Sequence, residues 1–144
     1  MQAAEHWTKL DPPSAVTWAE SLTDPAAREA ALISAADVWP TTDPHEASEW
    51  AARLEPGSLR DRAAVNLAMS VADDAPADAL AWTESIGDAE LRQHAATRLV
   101  WGLRAENPSL AEQLLNQSNL SDADVAAVIH SIQEADDSIR RGSR

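Results

Sequence analysis

The chain has no cysteine, so a disulfide framework, a thiolate nucleophile and a cysteine-ligated zinc site are all excluded. It also has no phenylalanine or tyrosine, and six tryptophans carry all of its aromatic bulk. Glycine occurs only four times in 144 residues and β-branched residues are sparse, which favours helix over strand. No glycine-rich phosphate loop or G-x-S-x-G elbow can be placed. No apolar run approaches a membrane span, and residues 1–7 carry neither the basic nor the apolar region of a secretory leader. A cytoplasmic protein is expected, or an extracytoplasmic one if the chain is cut from a longer precursor. Basic residues are few, 11 against 24 acids, and the net charge of −13 is spread over both halves of the chain. Such a surface repels nucleic acid and anionic lipid, so neither is an expected partner.

What the chain does have is a period of 32 residues. Pro12, Pro44, Pro76 and Pro108 fall at that interval, as do Ala15, Ala47, Ala79 and Ala111. Trp18, Trp50 and Trp82 follow, with Leu114 in the fourth slot, then Leu22, Leu54 and Ile86. Arg28, Arg60 and Arg92 keep the interval, and so do Ala31, Ala63, Ala95 and Ala127. A fixed period in this range marks stacked units, none of which buries its apolar face alone. Within each unit Ala15, Trp18, Ala19 and Leu22 show the i, i+3, i+4, i+7 spacing of one helix face. Asp11-Pro12, Asp24-Pro25 and Asp43-Pro44 are helix starts, an N-capping acid followed by proline in the first turn. Pro40-Thr41-Thr42 is expected to break a helix, and Ser58 with Asp61 to form a capping-box variant.

The expected fold is all-α: a short right-handed αα-hairpin solenoid of about 3.5–4 units. Residues 1–139 form the domain. Residues 1–9 are the partial helix of a truncated unit; 11–42, 43–74 and 75–106 are full units; 107–139 is a divergent C-terminal cap; 140–144 is a frayed tail. In the last helix Val125, Val128, Ile129, Ile132 and Ile139 are expected on one side, with Asp124 and His130 on the other. The end carrying Trp7 lacks a cap, so a homo-oligomer through the N-terminal end is expected.

The pattern Ala15, Trp18, Ala19, Leu22 and Ala31, written again as Ala47, Trp50, Ala51, Leu54 and Ala63, resembles the helix-turn-helix of tetratricopeptide repeats. Ala79, Trp82, Ile86 and Ala95 follow it, with Thr83 departing at the small position, so the resemblance spans roughly residues 11–103. The chain departs from that family in its shorter period, against about 34 residues, in lacking the Leu-Gly pair and the Tyr, and in opening its units on proline. The resemblance implies a non-catalytic module that binds a protein or peptide on one face. It would place Val16, Glu20, Ser48, Ala52, Leu80 and Glu84 on the inner surface, with Trp18, Trp50 and Trp82 buried in matching niches.

Other residues are candidate sites. Trp101 breaks register, its counterparts being Asp37 and Met69, and lies either under the C-terminal cap or exposed as a partner anchor. Arg28, Arg60 and Arg92 sit in first turns, where a cation opposes the helix dipole. Each is expected to reach carbonyls at the end of the preceding helix or a carboxylate such as Glu20 or Glu84; the alternative is an arginine ladder for an anionic peptide. His45-Glu46 lacks the second histidine of a zinc-protease helix, and His6, His94 and His130 share no face at ligand spacing, so no metal, cofactor or catalytic residue is expected. Two other functions fit the composition: a helical accessory region of a larger enzyme, and an acidic nucleic-acid mimic with its carboxylates gathered on one face.

Overall fold

A computed structural model describes residues 11–143, and among them every regular element is an α-helix. In chain order these are α1 (Pro12–Ser21), α2 (Pro25–Thr42), α3 (Pro44–Ala52), α4 (Ser58–Val71), α5 (Pro76–Glu84), α6 (Ala89–Glu106), α7 (Pro108–Gln117) and α8 (Asp122–Gly142). The partial helix expected over residues 1–9 and the expected pairing through the Trp7 end lie outside the described residues.

The odd-numbered helices all open on a proline whose fixed φ suits the first turn and forces the residue before it into an extended conformation. That preceding residue takes nearly one geometry four times: φ/ψ of −149/77° at Asp11, −145/87° at Asp43, −140/71° at Ala75 and −145/86° at Asn107. Asp11, Asp43 and Asn107 each accept the amide three residues on, whereas Ala75 has no side chain to do so. Of the even-numbered helices, Asp24, Asp88 and Ser121 cap α2, α6 and α8. The remaining even helix, α4, starts without a side-chain cap, on Gly57.

The even helices touch in succession, α2 to α4, α4 to α6 and α6 to α8. The shorter helices dock between them: α3 meets α2 and α4, and α5 meets α4 and α6. Alanine makes this approach feasible. Ala35 and Ala36 on α2, Ala63 and Ala64 on α4, and Ala95 and Ala96 on α6 are all buried, as are Ala47, Ala51, Ala79 and Ala111 on the shorter helices. Bulk between the backbones comes from Trp39, Leu67, Leu99, Ile86 and Val128. Trp82 is half-buried yet packs against all three groups of core side chains, so it ties the two ends of the molecule together.

Several expectations need correction. Trp50 is buried and stacks on Trp39 with ring centroids 5.5 Å apart, but Trp18, in the first helix described, is 37% exposed. Three like positions in sequence are therefore not three like niches, because Trp50 lies between helix layers and Trp18 at one end. Helix α2 does not break at Pro40 but runs through it to Thr42. The i−4 carbonyl that Pro40 leaves without a donor, that of Ala36, instead accepts the Asn66 side-chain amide from α4 at 2.9 Å. Ser58 forms no capping box with Asp61, whose buried carboxylate instead accepts the amides of Gly87 and Asp88 at 2.9 and 3.1 Å and fixes the turn between α5 and α6. In α8 the inward side carries Asp124 and Val128, while Ile129 and Ile139 are exposed. The same helix continues through Gly142, past residue 139, with the cations Arg140 and Arg141 favourably placed in its last turn.

Candidate interaction groove and charged clamps

A groove of about 610 Å³ runs along the even helices. Helix α2 contributes Leu32 and Ile33, α4 contributes Leu59 and Val65, and α6 contributes Leu91, giving the groove an apolar lining. Leu91 is 37% exposed, a large apolar side chain left in contact with water. Polar groups border it: Arg28, Glu29, Asp37, Arg62 and Asn66. Arg62 and Asp37 neutralise one another, with Nη2 donating to Oδ2 at 2.7 Å, and that hydrogen bond raises the Arg62 pKa. Among the described residues no carboxylate lies within 4 Å of Arg28, and its Nε is buried without a hydrogen-bond partner.

Of the three arginines, only Arg92 has partners of the expected kind among the described residues. Arg92 does reach the turn before its helix, donating from Nη1 to the Ile86 carbonyl at 2.9 Å. Its carboxylate is neither Glu20 nor Glu84 but Asp124, which it meets with Nε at 2.7 Å and Nη2 at 3.3 Å. Gln93 adds a third donor at 3.0 Å, and the Asp124 amide donates to Ser121 Oγ at 3.1 Å. The Arg92 hydrogen bonds outweigh burial and hold the Asp124 carboxyl at about 2, with Gln93 and Ser121 helping. Glu84 accepts from Asn119 at 3.2 Å, and Glu20 is exposed. Among the described residues Arg28 and Arg60 reach no such carbonyl, and both Nε atoms are buried and unpartnered. The signal for Asp124 was present: it occupies the fourth slot of the Arg28, Arg60, Arg92 series, so the charge inverts where the series ends.

The residues assigned to an inner surface do not share one. Val16 and Leu80 are core residues, 6% exposed each; Glu20 and Ala52 are exposed; Ser48 and Glu84 are half-buried. Val16 and Leu80 instead pack into the core with the alanines of α2, α4 and α6. Ser48 lines a second hollow of about 530 Å³ between α3 and α5, with Leu67, Val71 and Trp82 in its wall. Trp101 is 37% exposed on α6, with the Arg104 guanidinium 6.0 Å from its ring; Arg104 in turn holds Asp136 of α8 at 2.9 Å. It is thus neither under a cap nor in the groove. The groove residues Leu59, Val65 and Leu91 were missed, since an apolar helix position that lines a groove looks like core in sequence.

His45 and His130 each approach the glutamate four residues on, at 3.8 and 3.4 Å, on open surface. Among the described residues no cluster of three His, Asp or Glu side chains is placed to hold a metal, and no helix is long and apolar enough to cross a membrane. Comparison with protein-family models, curated proteins and solved structures finds no match for the chain.

Proposed function

We propose that the chain is a non-catalytic interaction module, a short right-handed αα-hairpin solenoid that takes a protein or peptide in the groove bordered by α2, α4 and α6. The carrying observation is the apolar lining of that groove, with Leu91 held in water on a rigid wall of packed helices. Clefts of several hundred Å³ with an apolar floor and a few polar edges are the usual form of a binding site. The tetratricopeptide resemblance supports an interaction role, although here the binding face is that of the second helices and not of the first. The titratable groups support it too: Asp124 and Arg92, with the pronounced pKa shift, satisfy one another in the packing of α6 against α8.

The test is an affinity capture with the intact chain and with Leu91→Glu, which places a charge in the groove without entering the core. Partners retained by the first and lost by the second, with Trp101→Ala behaving like the parent, support the groove as the site. Equal capture by parent and Leu91→Glu contradicts it.

A further inference from the structure

Apart from the groove, and independently of it, we infer that the hollow between α3 and α5 receives an arginine side chain from a basic partner segment. Its guanidinium lies flat against Trp82, between the carboxylates of Asp43 and Asp78. Four packing positions that recur at the 32-residue interval lead to this site. In one unit Val16, Ala35, Trp39 and Trp50 hold them and pack as core, the Trp39 ring stacked on the Trp50 ring at 5.5 Å. Further along the chain Leu80, Leu99, Leu103 and Leu114 hold them and pack together as well.

Between those two units the same positions carry Ser48, Leu67, Val71 and Trp82. Leu67 is larger than Ala35 and recovers part of the volume. Val71 and Ser48 are smaller than Trp39 and Val16, and Val71 brings no ring to Trp82. What remains is the hollow of about 530 Å³, with Ser48, Leu67, Val71 and Trp82 all in its wall. Trp50 is accordingly 6% exposed, whereas Trp82 is only half-buried.

The charges in the wall select the occupant. Asp78 precedes Trp82 by four residues on α5, so carboxylate and indole share one helix face. Asp43 lines the hollow from the start of α3, where its Oδ1 also accepts the Glu46 amide at 3.1 Å. Both acids are exposed, and among the described residues neither is in an ion pair. No lysine or arginine lines the hollow; its one base, His45, stands 3.8 Å from Glu49. An aromatic wall flanked by acids, in a chain of net charge −13, suits a cation. The shape of the vacated position suits a flat one. A guanidinium is planar, stacks on an aromatic face and turns its N–H fork to carboxylates at its edge, whereas an ammonium is a compact point charge. The aliphatic stem of the arginine has Leu67 and Val71 to lie along.

The probe is an acetylated, amidated peptide in which arginine alternates with glycine, titrated at low salt into the isotopically labelled full chain. The Trp82 indole signal and the amides of Ser48 and Val71 should shift and saturate together. The same peptide with citrulline, which keeps the shape and loses the charge, should bind about tenfold more weakly, and one with lysine about threefold more weakly. Asp43→Asn combined with Asp78→Asn removes both charges but keeps a capping side chain on α3, and should lose about tenfold in affinity. Val71→Trp returns a ring to the vacated position and should abolish the Trp82 response. Leu91→Glu should leave that response unchanged, so this site and the groove stand or fall separately. Equal binding of the lysine peptide would overturn the choice of arginine. Equal binding of the citrulline peptide, shifts scattered over exposed carboxylates without Trp82, or no shifts would overturn the site.

Discussion

Arg92 and Asp124 stand 32 residues apart and meet at 2.7 Å, their side chains 20% and 3% exposed. The pair joins α6 to α8, and its acid titrates far below an ordinary aspartate, at about 2. A carboxyl depressed in the folded state stabilises the fold above the unfolded value near pH 4 and loses that contribution as pH falls through about 2. Urea midpoints are therefore expected to fall between pH 4 and pH 2 in the parent. The drop should be smaller in Asp124→Asn, which already lacks the contribution at neutral pH.

Asn66 supplies the donor that Pro40 removes from α2. Asn66→Ala leaves the Ala36 carbonyl and Asp37 short of a donor and should cost about 1–2 kcal/mol in urea denaturation. In a Pro40→Ala background the amide of residue 40 becomes available to that carbonyl, so the penalty of Asn66→Ala should shrink. An unchanged penalty would separate the two residues.

Asp61 and Gly87 make a sharper contrast. Asp61→Ala strands two turn amides and should cost about 1–3 kcal/mol, with faster hydrogen exchange at Gly87 and Asp88. Gly87 has no positive φ, and a Cβ there would lie 3.6 Å from the Asp61 carboxylate, an ordinary contact. Gly87→Ala should be neutral or stabilising by up to about 1 kcal/mol, through the unfolded chain.

Of the tryptophans, Trp50 is enclosed and stacked on Trp39, whereas Trp101 is 37% exposed. Trp50→Ala should cost about 3–5 kcal/mol, and Trp101→Ala about 1 kcal/mol or less. Equal losses in urea denaturation would contradict the placement of both rings.

The helix starts were legible because Asp-Pro writes its geometry locally: Asp11, Asp24 and Asp43 cap as read. The alanine stripes were legible because 3.6-residue spacing and small volume act within one helix. What was hidden depends on neighbours distant in sequence. Pro40 looks like a breaker until Asn66 is beside it, and Asp61 looks like a cap until the Gly87 turn arrives. Val16 and Leu80 look like a variable surface until α2, α4 and α6 cover them. The groove is the hardest case, since Leu32, Leu59 and Leu91 come to it from three helices distant in sequence.

That second helices lie side by side at a 32-residue offset is tested most directly by a double-mutant cycle at Arg92 and Asp124. Stability is measured by urea denaturation for the parent, Arg92→Ala, Asp124→Ala and the double variant. Adjacency in a mostly buried pair predicts a coupling of about 1.5 kcal/mol or more, with the double variant much less damaged than the sum of the singles. Losses that simply add, with a coupling near zero, would mean that the two side chains do not meet and that α6 and α8 are not neighbours in a row.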